Sequence, residues 1–229
     1  MRYASERILA DGPALKPAYS AAGEAVPDEH DVDLPGYPGG GFAEVGNWVT
    51  DQFQLDAYGE ALLLFAAAAR LDRMDWTHWQ AVQTAVDAIE KRWREPDSGM
   101  WELDKNHWAH SRLTCAAGLR GIGAVASRQQ GGKWQRLADL LVADTDTDCL
   151  HPSGRWRRAP DDPRIDAALL MPSIRGAIPP NDPRTVATIE AVRAELSQDG
   201  FIYRFRPDRR PLGEAEGAFL LDPRDAENG

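Results

Sequence analysis

Two kinds of helical segment alternate along the chain. The segment 50–71 carries apolar or small residues on nearly every face after Tyr58, which is typical of a helix buried on all sides. The segment 75–94 instead places its apolar residues at steps of three and four and keeps one polar face, which predicts a surface helix with a single buried stripe. Asp162 and Asp182 each precede a proline, a signal for the first turn of a helix. The same two patterns take turns in four further segments, 109–127, 133–143, 162–176 and 183–198.

The loops differ according to the helices that they join. Those leading into surface helices are short, whereas those leading into buried helices are long and rich in Gly, Pro, aromatic and charged residues. An α-solenoid and an α/α toroid both explain alternating helices. Because each long loop joins a surface helix to the next buried one, the long loops would share one face, where binding sites are built. This asymmetry favours the toroid; the long loops are 34–48, 95–108, 151–161 and 199–217.

Composition narrows the class of protein. The 229 residues suffice for one domain with a core, and the formal net charge of −10 disfavours a nucleic-acid surface. Two cysteines, Cys115 and Cys149, are too few for a disulfide scaffold and indicate reduced thiols. The sequence contains neither a signal peptide nor an apolar run of the ~18 residues that a membrane helix needs. We therefore expect a soluble cytoplasmic protein that binds neither nucleic acid nor a membrane.

The stretch "EPDSGMWELDKNHWAHSR" (residues 95–112) holds the first candidate for chemistry. Glu102 directly follows Trp101 in a predicted loop. A carboxyl group beside an indole can be desolvated, which raises its pKa and allows it to donate a proton near neutral pH. The local pattern alone favours a second interpretation, in which Trp101 fills the core and Glu102 is a solvated neighbour.

Two sequence patterns resemble metal-binding motifs, but each lacks a residue that the motif requires. Cys149 stands where a calcium loop starting at Asp144 requires glycine, which excludes an EF-hand. His107, His110 and Cys115 are close in sequence, but no fourth ligand has a spacing that suits zinc. No metal ion and no organic cofactor is expected.

Four blocks of the sequence, taken together, resemble a known family. "LPGYPGGGFAEVGNWVTDQFQLDAYGEAL" (residues 34–62) resembles a hallmark segment of bacterial family-15 glycoside hydrolases, the glucoamylase and trehalase-like enzymes. "DSGMWE" followed by "HSR" is similar to the family's Gly-Ile-Trp-Glu and His-Ser-Lys stretch. "RIDAALLMPSIRGAIPPNDPRTVATIEAVRAEL" and "DGFIYRFRPD…GEAEGAFLL" look like the two blocks that follow. Order and spacing agree over nearly the whole chain.

The resemblance implies a fold, an activity and a site. The fold would be a six-hairpin (α/α)6 barrel, of which this chain would form a partial toroid of about six of the twelve helices. Members hydrolyse α-glucosidic bonds with inversion in carbohydrate metabolism. Glu102 matches the general acid, Trp101 would line the glucose pocket, and Arg204 matches an arginine that hydrogen-bonds sugar hydroxyls. The remaining substrate-side positions carried over from the family are Asn47, Gln52, Tyr58 and Glu216.

The sequence also departs from the family. The general base of the family lies in a segment further downstream, and the resemblance ends after Leu221; Glu216 matches a position that is not the base. Glu44 stands where the family usually has an arginine. We expect a single partial barrel domain over 1–229, with an irregular lead-in over 1–45 and an unrelated tail over 222–229.

Three functions remain open at this stage. The first is an α-glucosidase acting on a maltooligosaccharide, an isomaltose-type sugar or trehalose. The second is a catalytically inactive fragment or split-enzyme subunit that binds sugar or a complementary chain completing the barrel. The third is an unrelated α-solenoid scaffold.

Overall fold

The computed structural model describes residues 1–36 and 42–206. The described residues are mostly helical. They also contain two short antiparallel hairpins, which the hydrophobic pattern did not predict. The hairpins pair β1 (His30–Pro35) with β2 (Phe42–Val45), and β3 (Ser197–Gln198) with β4 (Phe201–Ile202). The helices are α1 (Arg2–Asp11), α2 (Asp56–Arg70), α3 (Trp76–Arg92), α4 (Ala109–Gly123), α5 (Arg128–Cys149), α6 (Met171–Ile174) and α7 (Pro183–Leu196), with 3-10 helices at Gly12–Ala14, Trp48–Asp51 and Ala167–Leu170.

Helices α2 and α4 form the buried layer. Every residue of α4 from Ala109 to Leu119 is buried. The two helices pack backbone to backbone, because glycines lie where they meet. A methyl group built on Gly59 would lie 2.6 Å from the carbonyl carbon of Thr114, and one built on Gly118 would lie 2.5 Å from the carbonyl oxygen of Gly59. The small and apolar residues that predicted burial on all sides are therefore those that permit this close approach.

Helices α3 and α5 cover that layer with one apolar stripe each, whereas α7 packs against the 3-10 turn Ala167–Leu170 and buries Thr188, Val192 and Leu196. Helix α3 buries Val82, Val86 and Ile89 and exposes its polar side chains, while α5 buries Trp134 and Leu141. Their starts carry side-chain caps: Asp75, Ser127 and Asp182 each accept a hydrogen bond from a backbone N–H in the first turn. The predicted alternation of buried and surface helices, and the partial toroid that it implied, are confirmed.

The predicted helix over 162–176 is wrong as a single element. Asp162 does not cap a helix, because its carboxylate accepts from the backbone N–H of Arg164 and pairs with Arg158 at 2.7 Å. Helical structure begins only after Asp166, and it consists of one 3-10 turn followed by the four residues of α6. The apolar segment "IDAALLM" (residues 165–171) is thus largely buried, but it does not form a long helix.

Other helix boundaries also moved. Helix α2 begins at Asp56, because residues 48–51 form a separate 3-10 turn capped by Asn47. Helix α5 extends from Arg128 to Cys149, well beyond the predicted 133–143, and includes the aspartates that imitate a calcium loop. The prolonged helix gives those aspartates arginine partners, since Arg112 pairs with Asp144 at 2.9 Å.

The expected irregular lead-in contains a regular helix. Helix α1 buries Ile8 and packs against α3, and it ends at Gly12, whose φ of 50° suits glycine. Glu216 and the expected tail over 222–229 lie outside the described residues. No helix in the described ranges has the length and apolar character needed to cross a membrane.

Candidate functional site

Glu102 stands at the turn of a tightly bonded loop between α3 and α4. Asp97 and Asn106 close the base of the loop through two backbone hydrogen bonds of 2.9 Å. Within it, the N–H of Glu102 donates to Gly99 O at 3.2 Å. Glu102 itself adopts a left-handed conformation, with φ of 54°, which is uncommon for a residue with a side chain. The Glu102 side chain is exposed, so the neighbouring indole does not desolvate its carboxyl group in this structure.

A second loop holds the Glu102 carboxylate from the other side. Gln52 Nε2 donates to Glu102 Oε2 at 3.3 Å, and Gln54 Nε2 donates to Gln52 Oε1 at 2.9 Å. Asn47 caps the 3-10 turn that ends at Gln52, where its Oδ1 accepts from Val49 N at 2.9 Å. The structure therefore brings Gln52 directly to Glu102, whereas Asn47 shapes the turn that presents Gln52.

Trp101 and Arg204 also come together beside this loop. Trp101 Nε1 donates to Asp166 Oδ1 at 2.8 Å. The guanidinium carbon of Arg204 lies 5.2 Å from the centre of the Trp101 ring, within the range of a cation–π contact. Two residues far apart in sequence thus bring an aromatic ring and a cation together, and the ring belongs to the loop that carries Glu102, although neither residue lines the open cleft that Glu102 lines.

Tyr58 does not join this group. Its side chain is fully buried in the core, and its hydroxyl donates to Gly12 O at 2.9 Å. Burial raises the pKa of Tyr58 to about 12. In this structure its phenol connects α2 to the N-terminal segment.

Two cavities flank Trp108 and Arg158. The open one is a polar cleft of about 490 Å³, a size in the range of small-molecule sites, and Glu102 lines it together with Leu103, Asp104, Asn106, Trp108, Arg158, Asp162 and Arg164. The other is a narrow apolar cavity of about 10 Å³ lined in part by Trp101, His110 and Asp166. A space of that size holds about one water molecule.

A buried group of acids behind the loop was missed by sequence reasoning. Asp56, Asp97 and Asp166 are at most 7% exposed, and burial raises the pKa of each; that of Asp97 reaches about 7, with the charge of Asp56 adding to the effect. His110 Nδ1 lies 3.8 Å from Asp56 Oδ2, and burial lowers the pKa of its imidazole. Asp56 Oδ1 and His110 Nδ1 make no hydrogen bond within the described part of the chain.

The acids could not be found from sequence spacing, because they come from separate elements. Asp97 accepts from Gly99 N at 2.8 Å and from Ser111 Oγ at 2.9 Å, and so ties the loop of Glu102 to the start of α4. One feature of the sequence could have indicated these acids: they lie at the ends of apolar segments, where a charged residue needs a partner.

Comparisons with known proteins give the fold and the family. A wild-type glycosidase structure covers 67% of this chain and 43% of its own, with a TM-score of 0.60 and 24% identity. A bacterial glucoamylase complexed with acarbose has a TM-score of 0.55 and 20% identity, over 68% of this chain and 28% of its own. Both support the helical toroid.

Sequence relatives extend over more of the chain. Trehalase of Mycobacterium tuberculosis is 30% identical over 218 residues, which is 90% of this chain and 32% of the trehalase. Isomaltose glucohydrolase of Kribbella flavida is 28% identical over 165 residues, 68% of this chain and 42% of the relative. The chain thus spans about a third of the length of the trehalases it matches. The model of the glycosyl hydrolases family 15 matches residues 1–225, and the chain belongs to that family, as its four sequence blocks predicted.

Proposed function

We propose that this chain supplies the general acid and part of the glucose-binding surface of a site that hydrolyses α-glucosidic bonds with inversion. The observation that carries the proposal is the exposed Glu102 carboxylate on the open cleft, held by Gln52 and adjacent to Trp101. Relatives named trehalase and isomaltose glucohydrolase support an α-glucoside as the substrate.

Each residue has a defined part in the proposed reaction. Glu102, protonated, donates its proton to the glycosidic oxygen as the bond to the anomeric carbon breaks. The Trp101 ring offers an apolar face to the pyranose, and Arg204 offers guanidinium donors to sugar hydroxyls. Gln52 orients the acid. Asn47 acts through the turn that it caps, and Tyr58 acts through the packing of α2.

Inversion needs a second carboxylate that activates water on the opposite face of the sugar, about 6.5–9.5 Å from the acid. We assign no residue of this chain to that role. The proposed active assembly therefore includes a complementary chain or segment that completes the barrel and brings the base. The buried thiols Cys115 and Cys149 support a reducing compartment, so we place the protein in the cytoplasm.

The test is hydrolysis of trehalose, maltose and isomaltose by this chain co-expressed with the adjacent reading frames that could supply the base, followed by NMR detection of the anomer released. We expect β-glucose from the non-reducing unit of maltose and isomaltose, and one β-glucose with one α-glucose from each trehalose. We expect Glu102→Gln to lower turnover by at least about 100-fold, since general acid catalysis contributes that much. Asp104→Asn, on the same loop and the same cleft, is the matched control and should keep its activity. Activity that persists in Glu102→Gln would refute the acid assignment.

The contact between the Trp101 ring and the Arg204 guanidinium favours one further candidate, a subunit that binds sugar without hydrolysing it. Its test is a titration of the purified chain with glucose. Glucose binding by the chain, with no release of glucose from any of the three substrates by the co-expressed assembly, would support this second function, and turnover by that assembly that requires Glu102 would exclude it.

A further inference from the structure

Asp166 is a buried residue, and one oxygen of its carboxyl group accepts two hydrogen bonds, one from the loop of Trp101 and one from the 3-10 turn that follows Asp166. It is 3% exposed. Its Oδ1 accepts from Trp101 Nε1 at 2.8 Å and also from the backbone N–H of Ala168 at 2.8 Å. The second bond caps the 3-10 turn Ala167–Leu170 and fixes the Asp166 side chain, so the first bond fixes the indole of Trp101 relative to that turn.

The backbone around Asp166 also fixes Arg204. Ala167 N donates to Arg204 O at 2.8 Å, and Asp166 forms an antiparallel bridge with Phe205. The segment carrying Arg204 is therefore anchored to the residue that holds Trp101. This anchoring accounts for the position of the Arg204 guanidinium, 5.2 Å from the centre of the Trp101 ring.

We propose that Asp166 is a positioning residue that sets the Trp101 indole against Arg204 and thereby forms the sugar-binding surface. The claim that this surface binds sugar rests on the proposed function. The claim that Asp166 positions Trp101 against Arg204 does not. Asp166 acts through Trp101 and Arg204 and takes no part in proton transfer. Its contribution is an acceptor oxygen, because both hydrogen bonds end on Oδ1.

The first measurement is the indole N–H signal of Trp101 in a ¹⁵N NMR spectrum of the whole chain. The chain has 8 tryptophans, and Trp101→Phe identifies the signal by its loss. In Asp166→Ala we expect the Trp101 signal to shift and its exchange with water to approach that of Trp76, which is 73% exposed. In Asp166→Asn, where an amide oxygen can accept both bonds, the signal should stay close to that of the wild type.

The second measurement is the affinity for glucose. Asp166→Ala should weaken the Kd about tenfold, the size expected when a hydrogen bond to a charged acceptor is lost. Asp166→Asn should stay within about threefold of the wild type on the same grounds. Asp182→Ala is the matched control, because Asp182 caps α7 through the same bond to the N–H two residues later and lies outside this cluster. It should change neither readout.

Several results would overturn the inference. They are an unchanged Trp101 signal in Asp166→Ala, and a loss in Asp166→Asn as large as in Asp166→Ala. If Asp166→Ala does not fold, Asp166→Ser replaces it, since a serine hydroxyl can still cap the turn at Ala168 N but is too short to hold the Trp101 indole; an unchanged Trp101 signal in Asp166→Ser would also overturn it. A wild-type chain that binds no glucose would refute the proposed function alone, because the indole signal still decides the position of Trp101.

Discussion

Gln52 Nε2 donates a hydrogen bond of 3.3 Å to Glu102 Oε2 and so joins the turn before α2 to the loop before α4. One carboxylate oxygen is occupied by this donor, which leaves Oε1 to carry the proton that the proposed reaction needs. Gln54 supports the amide of Gln52 from behind. The orientation of the acid therefore depends on a residue 50 positions away in the sequence.

Gln52→Ala should lower turnover of the α-glucoside about three- to tenfold with little change in stability. The bond is exposed and long, so its loss costs roughly 0.5–1.5 kcal/mol. Gln83→Ala is the control, since Gln83 makes a comparable bond to Asp87 on the surface of α3. Steady-state kinetics and thermal unfolding of both variants give the comparison. Equal turnover in Gln52→Ala and the wild type would contradict the orienting role.

The left-handed backbone conformation of Glu102 should lower the free energy of unfolding, because a residue with a side chain is strained there. Glu102→Gly should unfold with a free energy about 1 kcal/mol higher than Glu102→Ala, because glycine adopts positive φ without steric conflict. Both variants lack the carboxylate and should be inactive. Urea unfolding measures the difference. A Glu102→Ala variant as stable as Glu102→Gly would show that the loop relaxes to another conformation.

Asp97 should make the stability of the protein fall as pH rises from about 4 to about 7. Its pKa is raised to about 7 in the folded chain from the usual 3.8, by burial and by the charge of Asp56. Between those values the folded state holds a proton that the unfolded state has released. Stability from this group is therefore present at low pH and lost as pH approaches 7.

Asp97→Asn should flatten that dependence, by up to about 1.4 kcal/mol per pH unit. The asparagine oxygen can still accept from Gly99 and Ser111, which limits the structural change. The measurement is urea unfolding of both proteins at intervals between pH 4 and 7. Parallel curves for the wild type and Asp97→Asn would contradict the assignment.

Gly118→Ala should destabilise the fold by about 1–3 kcal/mol, because the new methyl group would meet the carbonyl oxygen of Gly59 at 2.5 Å. Gly121→Ala is the control one turn away on the same helix. There the nearest atom is Ala66 Cβ at 3.4 Å, so the gain in helix propensity, up to about 1 kcal/mol, should dominate. Chemical unfolding gives both values; similar losses in the two variants would contradict the close contact of α2 and α4.

The order of buried and surface helices was predictable because burial on all sides and burial on one side leave different periodicities. The stretch 162–176 shows the limit of that reasoning. Its apolar residues are buried as predicted, but an acidic residue before Pro163 bonds to Arg164 and does not start a helix. A run of apolar residues predicts that the residues are buried more reliably than it predicts which secondary structure they adopt.

The sequence supports a proposal for the residues of the candidate site, but it could not predict how they are arranged. Resemblance gave Glu102, Trp101 and Arg204, and the structure brings Gln52 to the first of them. It also gave Tyr58, whose hydroxyl turns to Gly12, a partner that no spacing could indicate. Asp166 and Asp97 were missed because their partners lie on other elements, and such contacts exist only after folding.

The shared oxygen of Asp166 has a consequence for protein engineering. The loop around Trp101 and the segment around Arg204 are both held at Asp166, the first by its carboxylate and the second by the backbone beside it, so neither is a self-contained module. A loop graft that moved residues 97–106 onto a related scaffold would carry the acid but leave behind the group that orients its aromatic neighbour. Chimeras within this family should therefore exchange both segments together, with the turn that begins at Asp166.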